Sequence, residues 1–420
     1  MDKEFSLSAV PQTYRKSFWN MLVVMLGLTF FSASMWSGGT LGEGLTFWQF
    51  IGIILLGNLI LGAYTGALAY MAAKTGLSTH LLARYVFGEK GSYLPSFLLA
   101  TTQIGWFGVG VAMFAVPVHK VTGIDIYLLI GIFGIAMSLS AYFGMKALAI
   151  ISFIAVPLIA WLGTTSMFKA ADAMGGWHSL FNYTPTNNIG LAAALTICIG
   201  SFISAGTLTP DFTRFAKTKK SAVGATVIAF FIGNSLMFLF GAVGAIATGK
   251  SDISEVMFLQ GLIIPAIIVL GLNIWTTNDN ALYASGLGIS NITKIPKQKI
   301  VIFNGIAGTL AAMWLYNNFV SWLDLLGTAL PPIGAIILAD YFIVKRGKYQ
   351  AFEKMNFQAV NWIAITAWVS GAAAANFLPG IAPINALVTA ALVHVAVSIA
   401  TARLYREKHV AVSEIEKVGQ

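Results

Sequence analysis

The chain has 420 residues, of which 57% are hydrophobic and only 10% are charged. A water-soluble domain carries roughly a quarter of its residues charged, so this composition excludes a soluble globule. The net charge of +9 does not indicate nucleic-acid binding, because the basic residues lie between apolar segments and form no patch with interleaved aromatic residues. The single cysteine, Cys198, excludes a disulfide framework and a cysteine metal site.

Apolar segments of about 20 residues recur from one end of the chain to the other, and each is long enough to cross a bilayer as a helix. We predict twelve spans, at 18–42, 47–73, 92–118, 124–144, 147–168, 190–209, 221–248, 261–288, 299–317, 321–343, 358–378 and 382–402. Polar tails at 1–17 and 403–420 flank them. The stretch before the first span lacks the features of a cleavable signal. From the twelve spans we expect an all-α protein embedded in the lipid bilayer.

The basic residues predict the orientation of the spans. If the N-terminus is cytoplasmic, 22 of the 25 Lys and Arg residues lie in cytoplasmic segments, and only Lys120, Lys169 and Lys250 lie outside. Positive charge is enriched on the cytoplasmic side of membrane proteins. We therefore expect a multi-pass inner-membrane protein with both termini in the cytoplasm. Apolar residues at helical spacing also predict a short cytoplasmic amphipathic helix at 75–88.

The first and sixth spans share a sequence pattern. Residues 34–41 read SMWSGGTL and residues 201–208 read SFISAGTL, with five identities in eight positions. Because the two spans are five apart, they cross the membrane in opposite directions. Inverted five-helix repeats with interrupted first helices are a known transporter architecture, so we expect both spans to be broken at these segments. The alternative is that the small residues permit close helix packing.

The eighth span carries a polar stripe. Asn273, Thr276, Thr277 and Asn280 follow helical spacing and share one helix face. Such oxygen-bearing side chains suit a hard cation, whereas interhelical hydrogen bonding is the alternative role. Asp279 lies off this face, so we expect it to pair structurally.

Two further spans carry aromatic residues beside polar ones. In the third span, Gln103 and Trp106 lie on one face, where an indole and an amide suit a flat heterocycle that stacks and hydrogen-bonds. In the sixth span, Phe202 is a second candidate for stacking, flanked by Ser201 and Ser204. Ordinary packing is the alternative role of the indole.

Motifs of soluble enzymes carry little weight here. Residues 244–251 match the P-loop pattern, but that motif requires a strand before it and a helix after it in an aqueous domain. No metalloprotease or serine-hydrolase motif occurs, and the five histidines are scattered. We expect a protein that is not an enzyme, has no cofactor, and draws its energy from an ion gradient or from the substrate's own gradient.

The segments that carry these features, at 28–42, 102–110, 200–208 and 272–286, resemble the nucleobase-cation-symport family 1, and in particular its bacterial cytosine permeases. The resemblance extends over nearly the whole chain. It implies a LeuT-like fold, in which 18–168 and 190–343 form two inverted five-helix repeats and 358–402 forms two peripheral spans.

The resemblance also implies a function. The substrate, cytosine, would stack between Trp106 and Phe202, with Gln103, Ser204 and Asn273 as polar partners. We therefore expect a sodium–cytosine symporter, monomeric, that works by alternating access. A proton-coupled permease for a purine or an allantoin-like heterocycle is the alternative, because some relatives are thought to use protons.

The implied sodium site combines two spans. It would lie between backbone carbonyls of the first-span break, near Phe31 and Ser34, and the side chains of Asn273, Thr276 and Thr277 in the eighth span.

Overall fold

A computed structural model of the protein describes residues 4–185, 187–250, 252–318 and 328–418, with the backbone alone from 405 onward. Within these residues the regular secondary structure is helical, with one isolated bridge between Lys16 and Ala216. The beginning of the predicted tenth span, 321–327, lies outside the described residues.

The first half of the chain contains eight described α-helices, preceded by a short 3-10 helix at Gln12–Tyr14. They are α1 (Phe18–Thr29), α2 (Ser32–Gly44), α3 (Phe47–Thr75), α4 (Thr79–Phe87), α5 (Tyr93–Thr122), α6 (Ile126–Tyr142), α7 (Met145–Ala173) and α8 (Trp177–Phe181).

The second half continues with α9 (Leu191–Thr207), α10 (Thr209–Thr213), α11 (Lys219–Ile228), α12 (Ser235–Thr248), α13 (Ile253–Leu259), α14 (Ile263–Thr293) and α15 (Lys297–Asn317). The described part of the chain ends with α16 (Pro331–Ala339), α17 (Trp362–Phe377) and α18 (Ala382–Val418). A π-helical turn, Ala229–Asn234, joins α11 to α12, and another, Asp340–Val344, extends α16.

Most of these helices are suited to a membrane. Six described segments are long and apolar enough to span it: Phe47–Thr75, Tyr93–Thr122, Met145–Ala173, Lys219–Thr248, Lys297–Asn317 and Ala382–Leu404. The bent pair α1 and α2 forms a seventh candidate, and α6, α9, Pro331–Val344 and α17 are shorter apolar helices. The more polar α14 is 31 residues long. The predicted all-α membrane fold is confirmed.

The first span is broken between α1 and α2, whose axes are bent by 54°. The break falls at Phe30 and Phe31, where the backbone leaves the helical region. The Gly-rich part of the predicted segment is helical instead. A Cβ at Gly38 would overlap the backbone of Phe238, and one at Gly42 would overlap Ala242, so these glycines bring α2 close to α12.

The expected break at 201–208 in the sixth span is wrong for most of that segment. Helix α9 continues without interruption to Thr207, and only Leu208 separates it from α10. The hydroxyls of Ser201 and Thr207 donate to the carbonyls of Cys198 and Ile203 within the same helix. Local bonds of this kind satisfy polar side chains without breaking a helix.

The lone cysteine lies at the contact between α9 and α3. Cys198 is fully buried, and a Cβ at Gly57 of α3 would meet its sulfur. The thiol therefore fills the space that a small residue leaves between two closely packed helices.

The predicted helix at 75–88 is present as α4 and is more buried than a surface helix. Eight of its nine residues are buried, and the guanidinium of Arg84 donates to Asn291 of α14 at 2.7 Å. Helix α4 is thus packed into the end of the bundle that carries the N-terminus.

The N-terminal segment also covers this end of the bundle. Arg214, which is fully buried, donates to the carbonyls of Phe5 and Glu4, both at 2.8 Å. The same guanidinium donates to the hydroxyl of Tyr283 in α14 at 3.1 Å. One buried cation therefore connects the N-terminal segment to the loop after α10 and to α14.

Candidate functional site

A cavity lies beside the bend between α1 and α2, where α5, α9 and α14 converge. Its lining includes Phe31, Gln103, Trp106, Phe202, Ser204 and Thr277. Its free volume is about 30 Å³, which is room for a water molecule or two and too little for a planar heterocycle. The structure is therefore a closed form in which predicted residues of four spans, the first, third, sixth and eighth, already meet.

The aromatic residues of the cavity contact one another through Phe31. Its ring is 5.2 Å from Trp106 and 6.2 Å from Phe202, in edge-to-face geometries of 78° and 88°. Phe202 is held from behind by Phe230 at 5.1 Å. A planar ligand that stacks on Trp106 or Phe202 would have to displace the ring of Phe31, which lies at the break between α1 and α2.

Two buried amides at this site have atoms without hydrogen-bond partners among the described residues. These are the Nε2 atom of Gln103 and both polar atoms of Asn273. Gln103 is 5% exposed and Asn273 is 1% exposed. A buried polar group left unpaired costs about 1–3 kcal/mol. A ligand with complementary donors and acceptors would recover that free energy, although Asn273 itself does not line the cavity.

The polar stripe of α14 is arranged so that hydroxyl oxygens are available. Thr276 donates to the carbonyl of Asn273 at 2.9 Å, and Thr277 donates to the same carbonyl at 3.0 Å. Each hydroxyl proton is therefore used within the helix, which leaves the oxygen lone pairs able to accept or to bind a cation. Thr277 faces the same cavity as Phe31.

Ser34 uses its side chain elsewhere. Its hydroxyl donates to Asn234 Oδ1 at 2.7 Å, and Asn234 Nδ2 donates to Asn58 Oδ1, also at 2.7 Å. The backbone N–H of Ser34 donates to the carbonyl of Phe31 at 3.0 Å. The hydroxyl of Ser34 thus anchors the start of α2 through its proton, whereas its oxygen lone pairs and its backbone carbonyl stay available as possible ion ligands.

Asp279 forms the structural pair that was expected of it. It accepts a hydrogen bond from Ser140 Oγ at 2.6 Å, and Ser140 accepts one from Trp275 Nε1 at 2.8 Å. Asn280, the last member of the stripe, donates to the carbonyl of Thr276 and is absent from the cavity lining. These two residues support α14 rather than the cavity.

Asn278 also lines the cavity, although the sequence pattern did not predict a role for it. Its Nδ2 donates to the carbonyl of Phe107 at 3.1 Å, and a Cβ at Gly110 would overlap its amide. Asn278 therefore ties α14 to α5 beside the site. An amide in an apolar helix is a visible signal, but this one lies off the polar stripe of Asn273, Thr276, Thr277 and Asn280.

Comparison with known proteins adds the family context. Residues 9–399 match a family model described as a permease for cytosine/purines, uracil, thiamine, allantoin. The chain is 56% identical over 391 residues to the cytosine permease of Escherichia coli K12, covering 93% of each protein. It is 22% identical to the hydantoin permease of Microbacterium maritypicum, covering 86% of this chain and 81% of that protein.

Solved structures share the fold. Mhp1, a nucleobase-cation-symport-1 family transporter in a closed conformation with bromovinylhydantoin bound, superposes with a TM-score of 0.84 at 21% identity, covering 95% of this chain and 96% of that one. A Na⁺-coupled sialic acid symporter gives 0.72 at 12% identity, covering 92% and 90%. The predicted LeuT-like fold is confirmed.

Proposed function

The chain belongs to the family of permeases for cytosine and purines, uracil, thiamine and allantoin, and on that premise we propose that it imports cytosine by sodium-coupled symport. The observation that carries the proposal is the cavity at the helix bend. There, Trp106 and Phe202 supply aromatic faces, and the buried amide of Gln103 has a donor without a partner in the described part of the chain. The 56% identity to a cytosine permease supports cytosine over other members of the substrate class.

Cytosine matches the chemistry of this cavity. Its ring would stack on Trp106 and Phe202, and such base–aromatic contacts are worth about 1–3 kcal/mol each. Its edge carries an amine, a ring nitrogen and a carbonyl, which can pair with Gln103 and Ser204 at the cavity, and with Asn273 once the cavity has opened as far as that residue. We propose that entry of the base moves Phe31 aside, because the closed cavity has no room for both.

The proposed sodium site lies between the bend and α14. Carbonyl oxygens at Phe31 and Ser34, with the side-chain oxygens of Asn273, Thr276 and Thr277, form a set of hard ligands suited to sodium. An ion held there would connect the broken first span to α14, which lies in the other proposed repeat. That connection is how ion binding would favour a formed substrate site.

Transport would proceed by alternating access around this site, between the two proposed repeats at 18–168 and 190–343. We place the protein in the inner membrane as a monomer, with both termini in the cytoplasm. The distribution of basic residues supports this orientation, since only Lys120, Lys169 and Lys250 lie on the other side. The end of the bundle that contains Arg214 would then be cytoplasmic.

Uptake of labelled cytosine into proteoliposomes tests the proposal. We expect uptake to rise when sodium is high outside. Net uptake should stop when neither the sodium concentration nor the cytosine concentration differs between the two sides. Uptake that needs a proton gradient and ignores sodium would support the proton-coupled alternative. Absence of cytosine uptake under every gradient would contradict the proposed substrate.

A further inference from the structure

A second polar cavity lies at the opposite end of the bundle from Arg214. It is formed by α2, α5, α13 and α15, and its lining includes Trp36, Lys120, Asp252, Glu255, Phe258 and Tyr316. Its free volume is about 40 Å³, which is room for about two or three water molecules, so a planar heterocycle enters only when the lining side chains move apart. Aromatic rings, two carboxylates and one ammonium group thus share a single recess.

This outer cavity lies on the same face of α5 as the central one. Gln103 and Trp106 line the central cavity, and Met113, Pro117 and Lys120 line the outer one. Together with Gly110, these residues follow one another along α5 at intervals of three or four positions. Residues at this spacing lie on one face of a helix. Trp106 and Pro117 are eleven residues apart, about 16 Å along a helix. The outer cavity therefore lies in line with the central one, toward the predicted outer surface.

The charged groups of the outer cavity are held in place but remain in contact with water. Glu255 contacts Lys120 at 3.3 Å and Lys250 at 3.6 Å, and its side chain is 38% exposed. Asp252 caps α13 by accepting from the backbone N–H of Ser254 at 2.8 Å. Exposed ion pairs contribute little to stability, so these groups can exchange partners when a ligand arrives.

We propose that the outer cavity is a second, low-affinity site, at which the same planar heterocycle is held before it reaches the central cavity. The inference rests on the proposed function. A carboxylate of Asp252 or Glu255 accepts from the amine or ring N–H of the base, as acidic side chains do with cytosine. Lys120 donates to its carbonyl oxygen. Tyr316 provides an aromatic surface for stacking, which is tolerant of the kind of base.

Disabling the central site exposes the outer one to measurement. The full chain carrying Gln103→Ala and Trp106→Ala is purified, and cytosine is titrated in saturation-transfer difference NMR. We expect a weak, saturable signal to remain. Adding Lys120→Gln or Tyr316→Leu should lower that signal about fivefold, the equivalent of roughly one hydrogen bond.

Lys250→Gln is the matched control. Lys250 pairs with the same carboxylate as Lys120 but is absent from the lining of the cavity. If Lys120 acts by contacting the base, Lys250→Gln leaves the signal unchanged. If both substitutions lower it equally, the effect comes from loosening α13, and the inference is wrong.

If the variant with Gln103→Ala and Trp106→Ala gives no saturation-transfer signal with cytosine, the inference is also wrong. Calorimetry of cytosine with the parent protein separates this result from a failure of the proposed function. A parent that binds cytosine, together with a silent double variant, leaves the central site intact and removes only the outer one. A parent that binds no cytosine contradicts the proposed substrate itself.

Discussion

At the scale of single residues, Trp106 and Phe202 are the proposed stacking surfaces. Replacing Trp106 by Ala should weaken cytosine binding by about 1–3 kcal/mol, which is the usual contribution of one base–aromatic contact. Calorimetry on purified protein measures the change. Trp161→Ala is a matched control, because Trp161 is 67% exposed on the outside of α7. Unchanged affinity in a folded Trp106→Ala protein would remove the stacking model.

Gln103 is the residue we expect to distinguish between bases. Its Nε2 is buried without a partner among the described residues, so a base that leaves the amide unpaired should lose about 1–3 kcal/mol. The N3 atom of cytosine can accept a hydrogen bond from this donor, whereas the N3 atom of uracil carries a hydrogen and cannot, so uracil should compete poorly for cytosine uptake. Gln103→Leu should reduce this preference. If uracil and cytosine inhibit the parent equally, the edge is recognised by another residue.

Several of these residues could be predicted because polar or aromatic groups are conspicuous in apolar helices. Gln103 and Thr277 are such residues, and both line the cavity. The role of Asn278 could not be inferred, because its partner is the carbonyl of Phe107, 171 positions away. The same holds for Ser34, whose hydroxyl is bound by Asn234. A sequence can indicate that a polar side chain is buried, but it does not show which residue is its hydrogen-bond partner.

At the scale of elements, α14 is proposed to hold the coupling ion with Thr276 and Thr277. The double variant Thr276→Ala with Thr277→Ala removes two oxygen ligands from a hard cation. Cytosine affinity should fall to the sodium-free value of the parent and stop responding to sodium. Linkage requires that sodium and cytosine strengthen each other by the same factor, typically about 5–150-fold.

Calorimetry of cytosine binding at zero and saturating sodium, in parent and double variant, measures this coupling. Because Trp106 and Gln103 are unchanged, the variant should still bind cytosine weakly. A variant that keeps the parent's full sodium response would place the ion elsewhere. A parent with no sodium response would point to protons.

The two similar segments of the first and sixth spans show what sequence alone cannot decide between elements. Both contain Ser, Gly and Thr, but only the first lies next to a sharp bend, at Phe30 and Phe31. Glycine permits a break and also permits close packing, and the packing partner decides between them. At Gly38 the partner is the backbone of Phe238, which the sequence gives no means of identifying.

At the scale of the whole molecule, Arg214 connects the N-terminal segment to the bundle. Arg214→Met should lower stability by about 3 kcal/mol or more, since hydrogen bonds from a charged donor contribute about 1.5–3 kcal/mol each. The midpoint of thermal unfolding of detergent-purified protein is the measurement. Lys219→Met, which changes a cation at the start of α11, is the control and should have little effect. Equal midpoints for both variants would contradict the role assigned to Arg214.

The order of the membrane helices was predictable because each span needs about 20 apolar residues, and the chain alternates such runs with short polar connections. Burial was not predictable in the same way. Helix α4 looked like a surface helix by its spacing, yet the structure buries it against Asn291 and its neighbours. Helical periodicity identifies the apolar face, whereas the packing of a polar face depends on residues far away in the sequence.

Because Cys198 is buried, conformational changes of this protein can be followed by alkylation of a cysteine introduced elsewhere. The only thiol of the sequence is closed off between α9 and α3, so a cysteine introduced elsewhere is the sole reactive group in the closed form. A cysteine at Ser201 or Met113 would then report, by its rate of alkylation, when the central or the outer cavity opens to water. The alkylation rate of such a variant can be measured with and without sodium or cytosine, and Cys198 does not have to be replaced first.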